Sequence, residues 1–399
     1  MKKRNIAFVV PRYEIGSAGG AEVHAAQVAN HLAARGHNIE VFTTCAQDHH
    51  LWGNVLKEGD EVVDQVKVHR FLTEPKEDVA LFLHLQLKMH VGLTLTPQEE
   101  AAWLKNSVHS NRLYEALQKR AKDFDGIIFM PYLFGITYEG SRYAGDKFIL
   151  IPCLHDEPFS RLEATKEMFQ RARHIFFNTQ PELELAQKLY GIKSEQSHLV
   201  ALGFDELPQP DSSSFRKKYG LEGGPYLIFV GRWEKGKNVH VLIEYFKSYT
   251  INNKKNLKLV LLGSGDVKVP EAFQEDILPL GYIPVEDKLA AVSGAAALCQ
   301  PSVNESLSIV IMEAWFLKTP VIVHGRCAVT KFHCVQSGGG LYFKNYLQFE
   351  EVVNTLLADE NLRKKMGLLG YQYVRKNYSW DAVLDRFETA FEKYMASHL

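Results

Sequence analysis

A cationic stretch at residues 231–238 (GRWEKGKN) directly follows an apolar run at 226–230, which reads as a buried strand. Arg232 can bind a diphosphate through its planar fork of donors, and Lys237 can bind it as a point charge. Ligands of open α/β sheets bind where strands end. We therefore predict a diphosphate site at Gly231, Arg232 and Lys237, with a solvated basic loop as the alternative.

A second candidate is the segment 305–313 (ESLSIVIME), in which Glu305 and Glu313 stand eight positions apart. On a helix covering 306–316 the two carboxylates would lie about 12 Å apart along the axis, too far to act on one carbon as glycosidase carboxylates do. They could contact two ends of one extended ligand. The N–H groups of Ser306, Leu307 and Ser308 would then face a phosphate. A capped helix with an acidic first turn is the alternative.

A third candidate is the glycine-rich turn at 16–22 (GSAGGAE), between the first apolar run and the first helical pattern. Gly19 and Gly20 let backbone N–H groups approach an anion at the positive end of a helix. The turn is not a dinucleotide fingerprint, because that pattern needs a glycine where Ala18 stands. An ordinary tight turn is the alternative.

The elements that must position these residues alternate between short apolar runs and helical patterns. Strands are predicted at 6–10, 39–43, 65–71, 127–130, 148–151, 175–178, 226–230, 257–262, 297–300 and 321–323. Helices are predicted at 21–34, 97–122, 239–249, 306–316 and 378–394. This alternation is typical of parallel sheets covered on both faces.

A polar, proline- and serine-rich stretch near 203–215 interrupts the alternation, which then restarts. We therefore predict an N-terminal Rossmann-like domain at 1–205 and a second one, binding the nucleotide, at 206–376. A helix at 377–399, entered by Ser379, is expected to pack back on the first domain.

Composition limits the partners of the chain. The 399 residues carry 46 Lys and Arg against 47 Asp and Glu, so no global charge favours nucleic acid. Five cysteines, without framework spacing, indicate reduced thiols. No signal-peptide core or 18-residue apolar run is found, so we expect a cytoplasmic protein. Peripheral contact with the inner face of a membrane stays open.

The ordered motifs together resemble the group 1 (family 4) retaining glycosyltransferases. The paired glycines, Arg232-x4-Lys237 and Glu305-x7-Glu313 occur in the family's order, with PVIV at 320–323 and YSW at 378–380. The resemblance covers nearly the whole chain. It implies the α/β fold called GT-B, with two Rossmann-like domains facing each other across a cleft.

The resemblance also assigns roles to these residues. Arg232 and Lys237 would bind the diphosphate of a nucleotide-sugar donor, Glu305 would contact the transferred hexose, and Glu313 would hydrogen-bond the ribose. The acceptor would be a glycan, a glycolipid or a small molecule. A phosphate oxygen of the donor would take the acceptor's proton, so neither a cofactor nor a metal is expected.

Further roles follow for the first domain and for the base of the donor. His155, in LHDE at 154–157, matches the family histidine beside the reacting sugar. Gly19 and Gly20 would form a loop over the phosphates. The backbone around Tyr282 and Ile283 would contact the base.

Two departures from the family pattern are visible. The family often has Glu-x-Phe-Gly where this chain has Glu305-Ser306-Leu307-Ser308. Ser308 therefore carries a side chain where glycine permits close approach, and the donor contacts there should differ. We also expect residues 325–340 to form an unusually long loop.

Other patterns in the sequence also have side chains that could bind a metal. His324, Cys327, His333 and Cys334 have zinc-compatible side chains, but two of them are sequence neighbours, which gives an awkward geometry. The DFD at 123–125 precedes a strand and is interpreted as a helix end. The functional alternatives are a nucleotide-sugar epimerase or a phosphorylase on the same fold, and a non-catalytic nucleotide-sugar-binding module.

Overall fold

The computed structural model describes residues 2–13, 20–48, 52–253 and 256–397. The chain divides into two compact units. Unit 1 comprises Met1–Gly203 and Trp380–Leu399, and unit 2 comprises Phe204–Ser379. Each unit contains a sheet flanked by helices, and each is described by itself.

The sheet of unit 1 has the strand order β3-β4-β2-β1-β5-β6-β7-β8 in the described residues. All of its pairings are parallel except that of β3 with β4, which form an antiparallel hairpin. The strands are β1 Asn5–Val9, β2 Asn38–Thr44, β3 Gly59–Val63, β4 Val66–Phe71, β5 Gly126–Phe129, β6 Phe148–Leu150, β7 His174–Phe177 and β8 Ser197–Leu199.

Helices connect these strands. They are α1 Gly20–Ala34, α2 Val79–His90, α3 Pro97–Lys105, α4 Asn111–Arg120, α5 Gly135–Gly140, α6 Glu163–Arg171 and α7 Gln180–Tyr190. Short 3-10 helices cover Ala121–Asp123, Ser141–Lys147, Pro158–Arg161 and Ser194–Gln196. Strands β5, β6 and β7 are buried along their whole length, which explains why β5 and β6 are apolar throughout and β7 is apolar after His174.

The single helix predicted at 97–122 is wrong, because the chain there forms α3, α4 and a 3-10 turn. Thr96 caps α3 in a capping box with Glu99. Ser110 then caps α4 by accepting a hydrogen bond from the Leu113 N–H. The second cap starts a new helix inside a segment whose composition is helical throughout.

The C-terminal helix, Trp380–Ala396, belongs to unit 1. Arg35 donates to Asp385 at 2.8 Å, and Arg4 donates to Glu392 at 2.9 Å. The Tyr394 hydroxyl donates to the Asp125 carbonyl at 2.9 Å. Within the described ranges, every helix is too short or too polar to cross a lipid bilayer.

The sheet of unit 2 is parallel throughout, in the order β11-β10-β9-β12-β13-β14. Its strands are β9 Tyr226–Val230, β10 Lys258–Leu262, β11 Ile277–Gly281, β12 Ala297–Gln300, β13 Val321–His324 and β14 Gly340–Phe343. Because β9 lies between β10 and β12, the segments that follow these three strands meet at one edge of the sheet.

Unit 2 has helices on its sheet as well. They are α8 Ser213–Lys218, α9 Val239–Asn253, α10 Val285–Ser293, α11 Ile309–Phe316, α12 Ala328–Ser337, α13 Tyr346–Ala358 and α14 Glu360–Tyr378, with 3-10 helices at Lys235–Lys237 and Glu271–Phe273. The long loop predicted at 325–340 is therefore wrong, because α12 occupies most of it. Gly338 ends α12 in the left-handed conformation.

Candidate active site

The loops after β9 and β10 are held against each other at the carboxyl edge of the unit 2 sheet. Gly231 donates from its N–H to the Leu262 carbonyl at 3.0 Å, and Trp233 donates to the Ser264 carbonyl at 2.6 Å. A Cβ at Gly263 would lie 2.0 Å from the Gly231 carbonyl oxygen, so only glycine fits there. This contact fixes the loop that carries Arg232 and Lys237.

Lys237 and Glu305, predicted from separate motifs, form an ion pair. The Lys237 Nζ lies 2.8 Å from Glu305 Oε1, and the two side chains are 27% and 9% exposed. Asn238, in the left-handed conformation, ends the 3-10 turn that carries Lys237. The pair joins the segment after β9 to the segment after β12.

Arg232 has a different partner and a more open position. Its Nη2 lies 3.1 Å from Glu234 Oε1, and its side chain is 44% exposed. The described contacts therefore pair the two predicted cations with different carboxylates. Arg232 keeps most of its hydration, since its partner is a near neighbour that is also exposed.

Glu305 precedes helix α11, so the prediction that it shares a helix with Glu313 is wrong. The helix begins at Ile309, and Ser308 before it has φ 73°, which no α-helix residue adopts. The axial separation of about 12 Å expected for a continuous helix does not apply. Ser306 and Leu307 likewise belong to the turn before the helix, although a phosphate could still meet their N–H groups there.

Gln300, the last residue of β12, links this turn to the sheet and was missed by the sequence analysis. Its Nε2 donates to Glu305 Oε1 at 3.2 Å and to Ser308 Oγ at 3.4 Å. Glu305 Oε1 thus accepts from both Lys237 and Gln300. A glutamine ending an otherwise apolar strand is the signal that could have indicated it.

Glu313 lies within α11 and is paired with Lys288 of α10. Lys288 Nζ donates to both carboxylate oxygens at 3.0 Å. Tyr282 and Ile283 lie just before α10; Tyr282 is 71% exposed, and its hydroxyl accepts from Ser264 Oγ at 3.4 Å. No sequence motif indicated Lys288, because the pair joins positions 25 residues apart.

His155 lies in unit 1, in the segment after β6. Its Nδ1 is 3.7 Å from Glu157 Oε1, and its side chain is one-third exposed. The same Glu157 oxygen accepts a hydrogen bond from the Tyr132 hydroxyl at 2.7 Å. The imidazole is therefore accessible and faces a carboxylate that is itself anchored.

A buried carboxylate, Glu182, holds the segment before His155. Its two oxygens accept from the N–H groups of Leu154 and Asn178, each at 2.6 Å. Burial raises the pKa of the Glu182 carboxyl to about 8, although these amide hydrogen bonds act in the opposite direction. Glu182 follows the helix cap Thr179 by three residues, and the Thr179 side chain accepts a hydrogen bond from the Glu182 N–H.

The glycine turn is described only at its end. Gly20 begins α1, whereas Gly19 lies outside the described residues. Glu22, in the first turn of α1, is ion-paired with Arg12, and Arg12 also donates to the Gln47 carbonyl at 2.9 Å. Arg12 was not singled out from the sequence.

The four zinc-compatible residues have other environments. His333 is fully buried, its Nδ1 lies 3.0 Å from the Tyr373 hydroxyl, and burial lowers its pKa to about 3. In the part of the chain that the structure describes, no three His, Cys, Asp or Glu side chains are grouped so that they could hold a metal ion. The DFD at 123–125 lies at the end of a 3-10 helix, before β5.

The chain is similar in sequence to known proteins. Residues 211–373 match the family described as Glycosyl transferases group 1. The D-inositol 3-phosphate glycosyltransferase of Corynebacterium efficiens is 24% identical over 95% of this chain and 91% of its own.

Two solved structures are similar over nearly the entire chain. Sucrose-phosphate synthase from Thermosynechococcus elongatus has a TM-score of 0.71 at 17% identity, covering 99% of this chain and 100% of its own. HepE from Anabaena, in complex with UDP, has a TM-score of 0.69 at 16% identity with the same coverage. The chain therefore has the GT-B fold and matches the group 1 glycosyltransferases over residues 211–373, and these similarities support transfer of a sugar from a nucleotide-sugar donor to an acceptor.

Proposed function

We propose that the chain is a retaining hexosyltransferase whose donor site lies in unit 2. The observation that carries this proposal is the Lys237–Glu305 pair at the carboxyl edge of the sheet, 2.8 Å between charged atoms. It places a cation suited to the diphosphate beside a carboxylate suited to sugar hydroxyls. UDP-glucose is the first donor to test, because a solved structure of similar fold contains UDP-glucose.

In the proposed reaction the bond between the anomeric carbon and the diphosphate oxygen breaks, and the nucleoside diphosphate leaves. Arg232, Lys237 and the N–H groups of Ser306, Leu307 and Ser308 stabilise the charge that develops on it. The acceptor oxygen bonds to the anomeric carbon on the face that the diphosphate leaves. The acceptor's proton passes to a phosphate oxygen.

Glu305 and Glu313 have separate roles in this proposal. Glu305 binds hydroxyl groups of the transferred hexose, and its pairing with Lys237 orients it. Glu313 binds the ribose, and Lys288 orients it through both carboxylate oxygens. The loop at Gly231 and the backbone at Tyr282 and Ile283 would complete the nucleotide site.

His155 is proposed to act beside the transferred sugar. Its imidazole is accessible and lies near the anchored Glu157. Gly19 and Gly20 are proposed to contribute N–H groups to the donor phosphates. These assignments rest on the match of His155 and the paired glycines to the family pattern.

We further propose that transfer needs no cofactor and no metal, because Arg232 and Lys237 supply positive charge for the leaving group. The acceptor is a hydroxyl of a glycan, a glycolipid or a small molecule. We propose a cytoplasmic location, consistent with five cysteines that form no disulfide in the described structure. Contact with the inner face of a membrane would be detected by co-sedimentation with anionic vesicles.

A panel of nucleotide sugars tests the proposal by thermal shift and by transfer assay. A donor at 100 times its Kd should add about 2.7 kcal/mol to the free energy of unfolding. Lys237→Ala should lose most of that shift. The exposed Lys364→Ala, which removes a lysine paired with Glu360 on α14, is the matched control and should keep it.

The same assay separates the alternatives. An epimerase would release an altered nucleotide sugar without any acceptor, and a binding module would show the shift without turnover. A transferase releases nucleoside diphosphate in proportion to glycosylated acceptor. Absence of binding by every nucleotide sugar in the panel would contradict the proposed donor site.

A further inference from the structure

We propose that Gln300 is a positioning residue for Glu305 and that the Ser308 hydroxyl holds Gln300 in its working orientation. The inference rests on the proposed function, since it assigns to Glu305 the contact with the donor sugar. It goes beyond that function by giving roles to the side chains of Gln300 and Ser308, which are neutral and which contact each other in unit 2.

Two side chains donate hydrogen bonds to the Glu305 carboxylate. Glu305 Oε1 accepts from Lys237 Nζ at 2.8 Å and from Gln300 Nε2 at 3.2 Å. Lys237 is also the proposed ligand of the diphosphate, so a bound donor would compete with Glu305 for its N–H groups. Gln300 carries no charge that a phosphate would attract. It can therefore keep the carboxylate in place when Lys237 turns toward the donor.

Gln300 lies in an environment that is unfavourable for an amide. The residue is 3% exposed, and the rest of β12, Ala297–Cys299, is apolar. Among the described residues, the Gln300 Oε1 atom has no hydrogen-bond partner. A buried amide oxygen without a partner is destabilising, and an apolar side chain of similar size would avoid that cost. Residues that break local rules in this way concentrate at functional sites.

The orientation of the Gln300 amide follows from its neighbour. If the amide were flipped, its oxygen would face the carboxylate oxygen of Glu305, and two acceptors would meet without a proton between them. The Nε2 must therefore point to Glu305, which leaves Oε1 as the atom without a partner. The direction of the amide is thus set by the catalytic carboxylate.

Ser308 contacts Gln300 from an unusual backbone conformation. It has φ 73°, a left-handed backbone conformation in which glycine is unstrained and serine is not. Its side chain makes no helix-capping hydrogen bond, and its hydroxyl accepts from Gln300 Nε2 at 3.4 Å. A serine in a backbone conformation that favours glycine, with its hydroxyl bonded to Gln300, indicates that this side chain positions the Gln300 amide.

The test compares two ligands, UDP and UDP-glucose, or the donor pair that the panel identifies, by calorimetry and steady-state kinetics. Gln300→Leu should bind the nucleotide diphosphate within about twofold of wild type. It should bind the nucleotide sugar about tenfold more weakly, since only the sugar contacts Glu305. Its kcat should fall at least tenfold, while its melting temperature is unchanged or raised. Gln300→Met is the second variant, should the leucine misfold, and Ser308→Gly should show the same selectivity with a smaller loss.

The double variant Gln300→Leu/Glu305→Gln distinguishes positioning from a general structural role. If Gln300 acts through Glu305, adding Gln300→Leu to Glu305→Gln costs no further affinity for the nucleotide sugar. Three results would overturn the inference and leave the proposed function standing. The first is an equal loss of affinity for both ligands in Gln300→Leu, and the second is additive losses of affinity in the double variant. The third is wild-type affinity and kcat in Gln300→Leu when Glu305→Gln is impaired. Full activity and affinity in Glu305→Gln would overturn the proposed function together with the inference.

Discussion

The two units hold their candidate catalytic residues in different ways. In unit 2, the side chains predicted from motifs contact charged partners directly, as Lys237 contacts Glu305 and Glu313 contacts Lys288. In unit 1, the segment leading to His155 is held through backbone N–H groups by the buried carboxylate of Glu182. Unit 2 therefore positions its candidate residues through ion pairs, and unit 1 positions His155 through hydrogen bonds to a buried carboxyl group.

This difference has a functional consequence. In the proposed mechanism, the donor diphosphate replaces Glu305 as the partner of Lys237 without disturbing the fold, because the pair lies at the sheet edge and the Lys237 side chain is 27% exposed. The Glu182 contacts cannot be exchanged for a ligand, since the carboxylate is 1% exposed. Substitutions in unit 2 should therefore alter donor binding first, and substitutions at Glu182 should alter stability as well.

The largest effect is expected for Lys237→Ala. The change removes the proposed diphosphate contact and leaves the 9% exposed Glu305 carboxylate without its cation. Loss of a charge-assisted hydrogen bond costs about 1.5–3 kcal/mol, so kcat/KM should fall by about 10- to 150-fold. Arg232→Ala should cost less, because Arg232 is more exposed. Steady-state kinetics would measure these losses, with Lys364→Ala as the control. Wild-type kinetics in both Lys237→Ala and Arg232→Ala would refute the diphosphate assignment.

His155→Ala should lower kcat by at least about tenfold, a typical loss for a group that acts in the transition state. The KM for the donor should change little, since Arg232, Lys237 and Glu313, the side chains proposed to bind the diphosphate and the ribose, are in unit 2. Kinetics at saturating donor, together with the melting temperature, would separate the catalytic effect from misfolding. A fully active His155→Ala would remove the histidine from the mechanism and leave the donor site intact.

Glu182→Gln should change how stability depends on pH. The folded-state pKa of about 8 lies above the ordinary value of 4.5, so the folded wild type binds more protons than the unfolded chain between these pH values. Its free energy of unfolding should therefore fall as pH rises from about 4.5 to 8, by at most about 1.4 kcal/mol per pH unit from this group.

Urea unfolding at pH 5, 6, 7 and 8 would measure that slope in both proteins. Buried histidines such as His24 and His333, whose pKa values burial lowers to about 3, change stability in the opposite sense below about 6.5. They are shared by wild type and variant, so the difference between the two slopes isolates Glu182. Identical slopes would show that the Glu182 carboxylate stays ionised in the folded protein.

The smallest effect is expected from metal removal. Excess EDTA should leave the transfer rate unchanged, because cationic side chains are proposed to neutralise the leaving diphosphate. Activity that is lost in EDTA and restored by magnesium or manganese would show that a metal takes part. A metal ion would then join Arg232 and Lys237 in neutralising the donor diphosphate at unit 2.

The sequence predicted best the two strands at the centre of the unit 2 sheet. Strands β9 and β12 have the bounds expected at 226–230 and 297–300, since strands of a covered parallel sheet read as mainly apolar runs. The start of α11 was misplaced because a serine with φ 73° cannot be recognised from residue type. The two-helix segment at 97–122 was misread because Ser110 acts as a cap only in its folded setting.

The site was only partly predictable for a related reason. Lys237 and Glu305 belong to motifs, so their importance was visible before their contact was known. Lys288, Gln300 and Glu182 act through contacts that depend on strand order and on the path of distant segments. Periodicity and composition carry no signal for such pairs, because they describe neighbours along the chain.

Proton NMR of the freshly formed glycosidic bond distinguishes retention from inversion at the anomeric carbon. The reaction would start from a nucleotide sugar of known anomeric form and be sampled before the product can equilibrate. We expect the new bond to have the donor's anomeric configuration and Glu305→Gln to form it at a strongly reduced rate. An inverted configuration would contradict the retaining mechanism and the roles assigned to these residues.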